Sequence, residues 1–166
     1  MLTDQKQIDE AVALIQKWKQ NIAKFEVDDA KRALASGEFF LIQTYSGDML
    51  QALDENENIE FVFPKEGYIF TADTFVIPAD ASNVDLAYDF INFMHRPEVA
   101  AENMQFVKFR CPNTEALKML PEKLKNKPSI NPAKALWDAA MPTLDLGADT
   151  RLYNAAWDKI KSGSGD

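Results

Sequence analysis

Few residues in this 166-residue chain suit bond-making chemistry. His95 is the only histidine, so a Ser-His or Cys-His arrangement would have to use it. It directly precedes Arg96-Pro97 at the end of an apolar helical run, where a neutral or positive side chain suits the helix dipole. A helix cap is therefore its expected role. Cys111 is the only cysteine, with Arg110 as its sole basic neighbour, and it reads as structural rather than as a reactive thiolate. Gly47 and Gly67 stand isolated, so there is no glycine-rich loop to cradle a phosphate. The carboxylates fall mostly on polar helix faces or in loops. Asp73 differs, because it lies alone in an otherwise apolar run, residues 68–77. By residue type alone it is a turn cap or a partner for a backbone amide. By spacing alone Tyr45 and Phe109 are core aromatics. Neither an enzyme nor a cofactor is expected.

Periodicity gives the elements that hold these residues. Asp4 is a helix cap with Gln7 in capping-box position, and Ile8, Ala11, Val12, Ile15, Trp18 and Ile22 then form one apolar face. A short helix over 28–35 stops at Ser36-Gly37. Residues 39–44 are almost continuously apolar over strand length, the pattern of a strand buried on both faces. Ser46-Gly47-Asp48 opens a helix to about residue 53, and Asn56-Glu57-Asn58 ends it. A short strand over 59–63 and a longer one over 68–77 flank the turn Pro64-Lys65-Glu66-Gly67. Leu86, Ala87, Phe90, Ile91 and Met94 make a strongly apolar helix face, and Pro97 begins a further helix to about residue 106. Helical pieces follow over 117–120, 132–139 and 146–160, with 122–127 as a solvated connection. Residues 162–165, Ser-Gly-Ser-Gly, form the one low-complexity tract. Strands interleaved with helices imply an α/β layer architecture.

Composition narrows the function classes. Apolar residues make up 46% of the chain, enough for a globular core rather than a disordered segment. No apolar run approaches the ~20 residues that cross a bilayer. The opening MLTDQKQIDE is polar and carries no secretory signal, so export would need an upstream segment. A formal charge of −8 argues against nucleic acid as a partner and favours polyvalent cations at long range. One cysteine excludes an internal disulfide and a cysteine-based metal cluster.

The segment FVFPKEGYIFTADTFVIPADASNVDLAYDFINFMHRP, residues 61–97, resembles the polyamine-binding proteins that deliver spermidine and putrescine to bacterial ABC importers. The likeness extends to QIDEAVALIQKWKQNIAKF (7–25), IQTYSGDML (42–50) and LDLGADTRLYNAAWDKIKSG (144–163), so nearly the whole chain resembles the C-terminal half of that family. The resemblance implies a periplasmic solute receptor with a lobe of the periplasmic-binding-protein type II kind, a sheet flanked by helices, incomplete beside the two-lobed family. It also implies a polyamine ligand and ABC importer membrane subunits as partners. Such a ligand needs carboxylates for its ammonium groups and aromatic faces for its methylene stem. Asp73 occupies the family's acidic position. Thr71 stands where spermidine-specific relatives carry tryptophan, which removes one aromatic wall. Tyr45 precedes Ser46-Gly47 as the family's aromatic does, and Phe109 replaces a tyrosine ahead of Cys111-Pro112-Asn113. Thr143 matches a polar contact only weakly.

By the same resemblance, residues 1–70 and 117–166 correspond to the second lobe, and 71–116 to a segment that packs in the first. The apolar helix faces over 86–94 and 99–106 are then expected to need a cover from outside the chain. A second copy of the chain, exchanging 71–116, is the expected cover, burying over ~1,000 Å². The alternative function is a lobe that oligomerises and has lost polyamine binding.

Overall fold

A computed structural model of the chain describes residues 3–162; residues 163–165 of the Ser-Gly tract lie outside them. In chain order the elements are helices α1 (Gln5–Lys19), α2 (Ala30–Ser36) and α3 (Ser46–Glu55), strand β1 (Tyr68–Phe70), and helices α4 (Val84–Met94) and α5 (Pro97–Val107). There follow α6 (Thr114–Met119), α7 (Glu122–Lys125), α8 (Lys134–Asp138), strand β2 (Ala140–Pro142), a 3-10 turn at Gly147–Asp149 and α9 (Thr150–Ser162). Among the described residues the sheet has two strands, β1 beside β2. The class is mixed α/β and rich in helix. The chain divides into two compact units, one formed by the two ends up to Glu26 and from Met141, the other by Val27–Ala140.

The smaller unit is built on α1 and α9. The Asp4 carboxylate accepts the Gln7 amide at 3.0 Å, the expected N-cap. Ile8 and Val12 are buried with Ile160, and Ile15, Leu152, Tyr153 and Ala156 pack around them. Trp18 departs from the expected face and is exposed. Lys19 Nζ donates to the carbonyls of Ile160 and Lys161 at 2.9 and 3.0 Å, meeting two acceptors that a helix C-terminus leaves without an intrahelical partner. The Asp145 carboxylate accepts the Gly147 amide at 2.8 Å and fixes the turn that leads into α9.

The larger unit has one core, made of Met49 and Leu50 of α3, Ala100, Ala101 and Met104 of α5, Ala116 of α6, Leu120 and Ile130. Small residues on α5 allow α3 to approach closely, and Gln51 Nε2 donates to the Val107 carbonyl at 3.0 Å across that contact. Gly37 ends α2 with φ 73°, a left-handed conformation in which a Cβ is strained. Pro97 starts α5 as expected, and His95 is the C-cap of α4, its amide bonded to the Ile91 carbonyl.

Several expected elements differ. Residues 39–44 form no strand, and Phe40 and Leu41 are 104% and 92% exposed. Apolarity marks a segment for burial, but a ladder needs a neighbouring strand, and none of the described residues provides one here. Residues 59–63 are likewise outside any strand, and the 68–77 run is a strand only over its first three residues. The expected connection over 122–127 contains the single helical turn α7, closed by an ion pair between Lys125 and Glu122.

The helix faces also divide differently from expectation. The α5 face is covered in part by the chain itself, with Ala100, Ala101 and Met104 buried in its own core while Phe106 stays 84% exposed. On α4 no residue is buried, and Val84, Leu86, Tyr88, Phe90 and Phe93 are all exposed.

Candidate functional site

The larger unit brings two of the expected aromatics to one helix end. Tyr45 is the N-cap residue of α3, with extended backbone, and its side chain makes no capping hydrogen bond. It is half exposed, so it is not the core aromatic that spacing alone suggests. In the first turn of α3, Gly47 is buried beneath the ring of Phe109. A Cβ on Gly47 would stand 2.3 Å from both Cδ2 and Cε2 of that ring, so only glycine admits the contact as built. Phe109 keeps 38% of its surface exposed.

The segment that carries Phe109 is held from both sides. Lys108 ends α5 in the left-handed region at φ 61°, and its ammonium pairs with Asp54 of α3 at 3.1 Å. Arg110 donates through Nη1 to the Ile130 carbonyl at 2.8 Å, and its guanidinium lies 5.1 Å from the centroid of the Trp137 ring. Burial pulls the Arg110 pKa below its ordinary value. Asn113 caps α6 through the amides of Glu115 and Ala116 and donates to the His95 carbonyl at 2.8 Å. Cys111 is partly buried against the core, in keeping with a structural thiol.

Thr71 and Asp73 follow β1 outside any helix or strand, and both are exposed. Asp73 makes no hydrogen bond or ion pair with any described residue. It therefore caps no turn, and its carboxylate is available to solvent or ligand. Phe70, which ends β1, meets Trp137 edge-on with ring centroids 5.5 Å apart. Thr143 belongs to the smaller unit, where it follows β2 and is exposed. Surface hollows of about 240 and 490 Å³ lie at Leu117, Lys118, Lys125 and Asn131 and at residues 53–58 with Lys123; neither is lined by an expected site residue.

Sequence reasoning passed over Gly47, Arg110 and Trp137 as participants. The pairing of Gly47 with Phe109 spans 62 positions and has no local signature. Arg110 is adjacent to Phe109, which was the one available hint. Among the described residues no group of His, Cys, Asp or Glu is arranged to hold a metal ion, and no helix is long and apolar enough to cross a membrane.

Residues 1–132 match the model of a family described as bacterial extracellular solute-binding protein. The chain is 32% identical to the spermidine/putrescine-binding periplasmic protein of Salmonella typhimurium over 97% of its own length and 46% of that protein's. It is also 32% identical to a putrescine-binding periplasmic protein of Escherichia coli, covering 43% of it. A solved structure of a spermidine/putrescine ABC transporter protein from Listeria monocytogenes superposes with a TM-score of 0.83 at 27% identity, over 97% of this chain and 50% of that one. The substrate-binding protein of a spermidine/putrescine transporter from Streptococcus pneumoniae gives a TM-score of 0.71 at 28% identity. The chain thus spans about half the length of the curated relatives it matches. Its fold is that part of the periplasmic-binding-protein type II α/β architecture. A family match over most of the chain, at this identity and with this superposition, places it among binding proteins rather than enzymes: the chain belongs to the bacterial extracellular solute-binding protein family.

Proposed function

We propose that this chain is the C-terminal part of the substrate-binding component of a polyamine ABC importer, working in the periplasm and taking putrescine or spermidine. The observation that carries the reading is Asp73, an exposed carboxylate without a partner among the described residues. It shares its unit with the exposed faces of Tyr45 and Phe109. A protonated amine is drawn to the carboxylate, and a methylene stem is suited to aromatic faces. Thr71, two residues before Asp73, is a small polar candidate beside it. The relatives named for spermidine or putrescine support the ligand class, and their description as periplasmic supports the location.

Calorimetric titration of the full chain tests the reading. Asp73→Asn should weaken putrescine binding by about 1.5–3 kcal/mol, the range for a hydrogen bond to a charged group. Tyr45→Ala should cost about 0.5–1 kcal/mol, as expected for an exposed cation–π contact. Equal affinity for Asp73→Asn and the parent would remove Asp73 from the site.

The bare face of α4 favours a second reading, in which the chain is a lobe that covers this helix with another copy through the 71–116 segment and has lost polyamine binding. Burial of a large apolar side chain contributes about 1.5–3 kcal/mol, so several on one helix supply a strong drive to associate. Sedimentation velocity at micromolar concentration decides it. A dimer that Leu86→Ser with Phe90→Ser converts to monomer supports the second reading, and a monomer in both proteins excludes it.

A further inference from the structure

Three observations in the larger unit meet at one guanidinium. Arg110 follows Phe109 directly in the chain, and its Nη1 ties that segment to the Ile130 carbonyl at 2.8 Å. Its cationic carbon stands 5.1 Å from the centroid of Trp137, within the range of a cation–π contact. Trp137 in turn meets the ring of Phe70 at 5.5 Å and 68°, an edge-on geometry. Phe70 closes β1, and the chain that leaves it carries Asp73 three residues on. No carboxylate of a described residue pairs with Arg110, so charge neutralisation does not account for its placement. A planar fork that donates to a carbonyl while lying over an aromatic ring does account for it, and lysine has no such plane.

We infer that Arg110 is a positioning residue for the proposed polyamine site, holding the Phe109 segment and, through Trp137 and Phe70, the strand that leads to Asp73 in fixed relation. This rests on the polyamine reading. A diamine and a longer triamine have different spans. A scaffold that fixes a carboxylate relative to an aromatic surface therefore bears on discrimination between them, beyond affinity for either. An arginine with a purely structural role would lower both affinities by the same factor when removed.

The test uses the full chain with Trp18→Phe and Trp157→Phe, both exposed positions outside this unit, so that Trp137 alone fluoresces. Acrylamide quenching reports on the stack without any ligand, and titration with putrescine and with spermidine reports on the site. Arg110→Met should raise the quenching constant of Trp137 about twofold and shift the putrescine-to-spermidine affinity ratio by about threefold, with Arg110→Lys close to Arg110→Met because it keeps charge but not the plane. Unchanged quenching, or two affinities that fall in parallel, would overturn the inference. If the parent binds neither amine, the polyamine reading fails and the site role of Arg110 fails with it; the quenching measurement then still decides whether the stack exists.

Discussion

Gly47→Ala offers a direct measure of how the site is assembled. In an ordinary helix position this change stabilises by about 0.5–1 kcal/mol, because alanine has less backbone entropy to lose. Gly47 lies in α3 and is not among the residues with positive φ, so the new methyl meets no backbone strain. What it meets is the Phe109 ring, with two atoms 2.3 Å from the Cβ position. A contact that short cannot persist, so the ring must leave or the helix must shift. Phe109 is 38% exposed, which leaves roughly three-fifths of it covered; expelling it forfeits that share of the 1.5–3 kcal/mol for full burial, or about 1–2 kcal/mol. Set against the helix gain, the net change is a loss of up to about 1.5 kcal/mol. Urea denaturation followed by far-ultraviolet circular dichroism resolves that difference. The sign should reverse in a Phe109→Ala background, where the methyl enters vacated space, so the double-mutant cycle should show coupling of about 1–2 kcal/mol. A Gly47→Ala protein more stable than the parent, with no coupling to Phe109, would refute the packing argument.

Two further outcomes follow from the same geometry. Lys108 holds φ at 61°, so Lys108→Gly should remain about 1 kcal/mol more stable in urea than Lys108→Ala, since both lose the Asp54 ion pair and only alanine retains the Cβ penalty. The hydrogen bond from Lys159 holds the Asp9 carboxyl below its ordinary value of 3.8, assisted by Gln5 and opposed by desolvation. A lowered folded-state pKa means the contribution is complete above that ordinary value and is lost as pH falls through the folded one. Asp9→Asn should therefore flatten the decline of thermal stability below about pH 4 relative to the parent, and identical acid profiles would count against it.

Local signals were legible where a single turn of chain decides the structure. The Asp4 cap, the left-handed Gly37, Pro97 at the start of α5 and His95 at the end of α4 all stand where residue type puts them. Each depends on a backbone group within four residues, which a sequence displays directly. The sheet was much less legible. Residues 39–44 and 59–63 have strand-like apolarity, but pairing depends on a neighbour that no local pattern can guarantee. The candidate site falls between these cases. Resemblance supplied its individual candidates, and of these Asp73 and Tyr45 are both exposed. The contacts around those candidates were not legible, because Gly47 with Phe109 and Arg110 with Trp137 are contacts between distant parts of the chain.

Helix α4 shows what such a mismatch signifies physically. Its apolar residues suffice to specify a helix, and it forms one, yet none of them is buried. On the neighbouring α5, alanines and a methionine enter the core, so the unit is able to bury a helix where its own residues supply the facing surface. The difference lies in the supply of a partner rather than in helix quality. Net folding stability is only about 5–15 kcal/mol, and a fully exposed large apolar side chain forgoes about 1.5–3 kcal/mol, so the five α4 residues, each roughly half exposed, together forgo about 4–8 kcal/mol, a large share of that margin. A helix with such a face carries more apolar surface than the described residues cover. The same logic applies to Phe40 and Leu41, whose apolarity is unexplained by any contact within the described residues. Asp73 then becomes intelligible in the same terms, as a carboxylate left without a partner by the fold and therefore free to meet one from outside.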